Sequence, residues 1–206
     1  VYDKNTIAQA CVKYKQLRIL DHLLDEGGIP LMPIIEAVCD LGDMGYVEKL
    51  RRHNKDAIDL YAVVRLALMH GRDSYVEHIY REEKISLCFL VEQAVLAQRS
   101  ALVEHWYYCA EQISSQYAQA CLNFMLRGAV ASRQYTIAED YIARGAALQV
   151  AAHTAALHGD LDWLECLCNQ HVVATSRLLL GACAGKQHEY IAMLRAQDGQ
   201  YIEEGS

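Results

Sequence analysis

The sequence predicts an all-α fold, an α-solenoid of about seven helix-turn-helix repeats, and three matching columns of residues predict it. Leu20, Val47, Val76, Val103, Ala138, Leu164 and Ile191 recur at steps of 26 to 29 residues, with a single longer step of 35. Nine residues before each of these markers stand Cys11, Val38, Ala67, Ala94, Ala129, Ala155 and Ala182, all small enough to let helix backbones approach. Three residues after each marker stand Leu23, Leu50, Ile79, Trp106, Tyr141, Leu167 and Leu194, the apolar partners one helical turn on. A single column can arise by chance, whereas three at one period define a repeat.

The clearest copy is 155–167, AALHGDLDWLECL: Ala155 closes one helix, Gly159 permits a turn, and Trp163, Leu164 and Leu167 form an apolar stripe on the returning helix. In order along the chain, residues 6–25 form the first pair, capped by Asn5 or Thr6 and ended by Gly27 and Gly28. The segment 28–33 carries both prolines, Pro30 and Pro33, and is the candidate for a finger-like loop. The second pair starts at Ile34 and turns at 42–45; the third runs from Leu60 to His70, turns at 71–74 and returns over 75–82. The fourth, 86–110, has no turn glycine, so Gln98, Arg99 and Ser100 must reverse the chain with ordinary residues. The long step falls at about 109–129, where Tyr117, Ala118, Cys121, Leu122, Met125 and Leu126 keep helical spacing after an N-cap at Ser114 or Ser115, so the insertion is predicted to be helical. Pairs six and seven return to the short period, and 199–206 is expected to fray.

The stretch 153–167 resembles the helical pair of an ankyrin repeat, with His153 where that motif's own histidine sits. The segments 23–28 and 142–146 resemble the glycine-marked helix exit that leads to the ankyrin finger, and the resemblance spans roughly 6–195. The steps here are shorter than that family's period of about 33 residues, and the opening Thr-Pro is absent. The resemblance therefore implies a degenerate ankyrin-like array whose fingers have shrunk to short loops, and a role as an interaction module. Such arrays occur as parts of larger proteins, including effectors that intracellular bacteria deliver into host cells. The location this implies is cytoplasmic, in the host cytosol for an effector.

The unbroken register predicts one domain over 1–206. Net charge is −7 and no basic block is present, which argues against nucleic acid or an anionic membrane as the main partner. No run reaches the roughly 18 apolar residues of a membrane helix, so no membrane insertion is expected. The first residues, VYDKN, are neither a signal peptide nor an initiator methionine, so a segment of a longer chain is expected. The eight cysteines lie mostly on apolar helical positions without compact spacing, which reads as reduced thiols.

Cys166, Cys168 and His171, with His188, have the ligand types of a zinc site, but residues 166 and 168 lie about 200° apart on a helix and cannot face one ion. A Cys/His nucleophile pair oriented by Asp160 or Asp162 was the enzymatic alternative, with no cysteine singled out. The expectation is accordingly no catalytic residue, no metal and no cofactor. Thirteen of the seventeen aromatic residues are tyrosine, a side chain suited to surfaces buried on binding. Tyr46, Tyr75 and Tyr190 adjoin markers and are expected between pairs, and Tyr141 lies on the stripe. Tyr107 and Tyr108 beside the insertion, and Tyr14, His70 and His158 on first helices and turns, are the expected partner-binding residues. The function this supports is a non-catalytic protein-protein interaction scaffold. The alternative is the substrate-recognition arm of an enzyme whose catalytic domain lies outside the segment, or a Cys/His enzyme.

Overall fold

The structure, a computed structural model, describes residues 3–170 and 173–203, with side chains through residue 195. It is all-helical: the described residues form fourteen helices and no strand, in seven consecutive pairs. These are α1 (Lys4–Lys13) and α2 (Leu17–Asp25), α3 (Leu31–Leu41) and α4 (Met44–His53), α5 (Leu60–Met69) and α6 (Asp73–Glu82), and α7 (Leu87–Leu96) and α8 (Ser100–Ile113). Then follow α9 (Ser115–Ala131) and α10 (Tyr135–Ala143), α11 (Leu148–His158) and α12 (Leu161–Gln170), and α13 (Thr175–Ala184) and α14 (His188–Glu203). Contacts gather into two compact units, Val1–Ile85 and Ser86–Ser206. In the first unit α1 packs on α3 and α3 on α5; in the second α7 packs on α9, α9 on α11 and α11 on α13.

The three columns are the core. Every member of the small column is buried, as are six of the seven markers and six of the seven apolar partners. The exceptions, Leu23 in the first pair and Ile191 in the last, are half-buried.

One backbone device makes every pair. Lys15, Gly42, Gly71, Gln98, Arg133, Gly159 and Lys186, each five residues before its marker, have φ between +55° and +81°. The N–H of the next residue donates back to the carbonyl of the small-column residue: Gln16 to Cys11, Asp43 to Val38, Arg72 to Ala67, Arg99 to Ala94, Gln134 to Ala129, Asp160 to Ala155 and Gln187 to Ala182, at 2.7 to 3.3 Å. This is the Schellman end of a helix, in which a left-handed residue satisfies carbonyls that the helix leaves open. Loops of two or three residues then suffice to reverse the chain. Gln98 holds the left-handed conformation in the fourth pair without glycine, at a steric cost.

Three local expectations are corrected. The first helix is capped by Asp3, whose carboxylate accepts the Thr6 N–H, rather than by Asn5 or Thr6. The segment 28–33 is not a finger: Pro30 is the N-cap of α3 and Pro33 lies in its first turn, where a missing N–H costs nothing. The added length at 109–129 is helical, as its spacing predicts, and is divided between two helices. It extends α8 to Ile113 and lengthens α9, with only Ser114 between them, its hydroxyl accepting the Tyr117 N–H. At the other end, α14 runs through Glu203, so 199–203 continues a helix; 204–206 lie outside the described residues.

The closest helix approaches lie in the second unit. A Cβ on Gly181 of α13 would stand 2.3 Å from the His153 carbonyl oxygen of α11, and one on Gly128 of α9 would stand 2.9 Å from the Glu92 carbonyl oxygen of α7. His153 accordingly bonds at 3.4 Å to the Arg177 carbonyl of the following pair, not to the start of its own helix. By contrast, a Cβ on Gly45 would meet only the Asp43 carboxylate, at 3.6 Å.

Two stability predictions follow from this geometry. Gln98→Gly relieves the left-handed strain and should stabilise by about 0.5 to 1 kcal/mol after the entropy lost to a looser unfolded chain. Gly71→Ala should cost about 1 kcal/mol, and denaturant midpoints that fail to separate the two would refute the shared turn geometry. Gly181→Ala should cost roughly 2 to 3 kcal/mol, because the helix-propensity gain of about 1 kcal/mol is smaller than the strain of parting two backbones. Gly45→Ala is its control and should be neutral or stabilising; equal costs at 45 and 181 would contradict the close approach.

Candidate protein-binding surface

The residue six before each marker stands immediately before the left-handed residue, at the end of the first helix of its pair. In order this register holds Tyr14, Leu41, His70, Ala97, Ser132, His158 and Gly185. Three of the five expected partner-binding residues, Tyr14, His70 and His158, therefore occupy one structural position. In the first unit this edge is apolar and exposed: Tyr14 is 67% exposed, Leu41 43% and Met69, one residue before the cap, 72%. A notch of about 350 Å³ opens between the first two turns, lined by Val12, Leu17, Val38 and Leu41 with Lys15 and Asp43 at its polar side. The corresponding space between the second and third pairs is filled by Arg72, which donates to the Cys39 and Asp40 carbonyls at 2.9 and 2.7 Å. The bare Gly42 lets that guanidinium lie flat against the turn. His70 lies beside it, its Nδ1 3.3 Å from the Asp40 carboxylate.

Tyr107 and Tyr108 lie elsewhere, on the second helix α8. Trp106 is wholly buried and Tyr108 is 59% exposed, with Ile113 further along α8 at 61%. Tyr107 is half-buried, and the Arg144 guanidinium stands 4.8 Å from its ring centre while pairing with Glu104 at 3.4 Å. The fold thus gives Tyr107 an internal partner and leaves Tyr108 projecting. Sequence reasoning missed Leu41, Met69 and Ile113, although the positions three residues after Val38 and two after Ala67 in the small column are the first two.

Tyr46, Tyr75 and Tyr190 are buried, as expected beside their markers. Tyr46 donates to Asp21 at 2.8 Å and Tyr75 to Glu48 at 3.0 Å, each reaching the residue after the preceding marker. Glu48 is the centre of the first unit's polar contacts. Burial opposes its charge, but hydrogen bonds from Arg51, Arg52 and Tyr75 outweigh that and hold its carboxyl down at about 2. The 5%-exposed Arg51 also donates to Glu83 at 2.6 Å. Glu48, His78 and Glu82 could supply three ligand atoms within 4.8 Å of one another, but Arg51 and Arg52 already sit on both carboxylates.

The other chemistry-bearing residues do not converge. Cys166 and Cys168 are exposed on α12, which stays helical through both, and His171 lies outside the described residues. Cys109 and His105 are a Cys/His pair on successive turns of α8, with 4.0 Å between Sγ and Nε2, long for a proton transfer. Asp160 instead accepts the hydroxyl of Tyr135, whose ring stacks on Trp163 at 5.1 Å. Among the described residues no helix is long and apolar enough to cross a membrane. Comparison with family models, curated proteins and solved structures found no match to this chain.

Because the Glu48 carboxyl is held down in the folded state, its contribution is fully present above pH about 4.5, its ordinary value, and is lost as pH falls toward about 2. Glu48→Gln should cost about 2 to 3 kcal/mol at pH 7 and should flatten the acid limb of the stability curve across that window. An unchanged acid limb in urea titrations of Glu48→Gln would show that this carboxylate does not carry it.

Proposed function

We propose that this protein is a non-catalytic scaffold that binds another protein, built as an α-solenoid of ankyrin-like pairs. The observation that carries the reading is the turn edge of the first unit, where Tyr14, Leu41 and Met69 present apolar side chains from three successive turns beside an open notch. Large exposed apolar groups at successive turns of a buried, repeated frame are what a docking surface requires and what stacking alone does not. The likeness of 153–167 to an ankyrin helical pair supports the same reading. Tyr108 with Ile113 on α8 is a second patch of the same character.

Affinity capture from cell lysate with the purified protein, followed by mass spectrometry, tests the function. Tyr14→Ala with Met69→Ala should weaken capture of the specific partner by about 30-fold or more, the loss expected of a hot spot worth about 2 kcal/mol, with unchanged melting. Tyr108→Ala, run in parallel, assigns the surface to α8 if it alone loses the partner. A specific partner retained equally by all variants would place binding off both patches, and no specific partner from any lysate would sink the scaffold reading.

A further inference from the structure

The second unit encloses a pair of thiols that neither stacking nor partner binding uses. Cys88 in the first turn of α7 and Cys121 in α9 face each other with 3.4 Å between their sulfurs. Cys88 is 7% exposed and Cys121 is fully buried, and burial and the neighbouring Cys88 sulfur push the Cys121 thiol up to about 12. The two helices that carry them are in tight contact further along: a Cβ on Gly128 would reach within 2.9 Å of the Glu92 carbonyl, and the Arg127 guanidinium forks onto the Glu92 carboxylate. The approach of the sulfurs is therefore backed by close packing one to two turns further along both helices.

We propose that Cys88 and Cys121 are an oxidation site, closed to a disulfide by a small peroxide, which locks α7 to α9. A disulfide needs the sulfurs about 2.05 Å apart, so each has to move by well under 1 Å. Cys88, the less enclosed, is attacked first. Its sulfur, on losing its proton, displaces hydroxide from the peroxide by breaking the O–O bond, and that hydroxide and the proton form water. The sulfenic acid left on Cys88 is then attacked by the Cys121 sulfur; the S–OH bond breaks, and hydroxide leaves with the second thiol proton as a second water. Two thiols and one peroxide give one disulfide and two waters, the thiols losing the two electrons that the peroxide gains. Cys88 keeps 7% of its surface exposed, so the oxidant assigned to it is small rather than a bulky disulfide reagent. This site does not depend on the partner-binding reading.

The test treats the folded, reduced protein with a small excess of hydrogen peroxide, blocks remaining thiols, and maps crosslinks by mass spectrometry, with fragmentation separating Cys121 from Cys109 on the same tryptic peptide. The expected result is a Cys88–Cys121 link and a melting temperature raised by about 5 °C or more, reversed by dithiothreitol. Cys88→Ala, conservative at the start of α7, should remove the rise; Cys121→Ala is the second variant should the first not fold. Exposed Cys166, Cys168 and Cys183 are internal controls for the oxidant. Oxidation of those three without a Cys88–Cys121 link, a link formed only in urea, or a link that leaves the melting temperature unchanged or lower would each overturn the proposal.

Discussion

Everything in this chain depends on how each first helix ends. A left-handed residue folds the backbone over, and the following N–H closes onto a carbonyl two or three residues inside the helix end. That carbonyl belongs to the small-column residue, so one position must satisfy a hydrogen bond and also sit where neighbouring first helices meet. Only a small side chain meets both demands where the helices are closest. The same turn fixes which side chains point where. In two pairs the residue after the left-handed one reaches the preceding pair, Arg72 to the Cys39 carbonyl and Gln134 to the Val95 carbonyl.

The two units reach stability by different polar routes. In the first, a tyrosine beside each of two markers donates back to an acid of the previous pair, and Glu48 gathers Arg51, Arg52 and Tyr75. In the second, glycine and alanine bring α11 and α13 into backbone contact, and a single buried carboxylate, Glu92, is matched by Arg127. Burying a charge is costly unless its partners are in place, so these pairs specify which helix faces start together more than they add net stability. Helix contact through glycine leaves little room for repacking, and the facing Cys88 and Cys121 thiols lie between two helices held in such a contact.

Function follows from the division between positions the frame uses and positions it leaves free. The left-handed residue, the residue after it, the small residue and the marker are all engaged in the turn or the core. The residue before the left-handed one is engaged in some pairs, as Ser132 is in donating to the Gly128 and Ala129 carbonyls and Gly185 in its close approach to the Leu157 carbonyl. Along the chain it varies from tyrosine and leucine through histidine to alanine, serine and glycine. Its exposed large apolar members, Tyr14 and Leu41, lie in the first two turns. Tyr107 and Tyr108 show the same division on a second helix, one engaged by Arg144 and the other not.

The periodic columns were legible from residues alone, because burial of one helical stripe forces apolar identity at 3.6-residue spacing whatever the neighbour is. So were the helical pairs, the burial of Tyr46, Tyr75 and Tyr190 and the exposure of Tyr14 and Tyr108. Glycine marked the turns at 42, 71 and 159 but not those at 15, 98, 133 and 186, where lysine, glutamine and arginine adopt the same conformation under the constraint of the surrounding helices. No local propensity announces a left-handed glutamine. The division of the long step between α8 and α9, the engagement of Tyr107 by Arg144, the filling of one turn notch and not another, and the meeting of Cys88 with Cys121 were likewise decided by tertiary structure. The Tyr107–Arg144, Arg72–Cys39 and Cys88–Cys121 contacts each join residues more than 30 positions apart, and sequence spacing carries no distance until the helices between them have been packed.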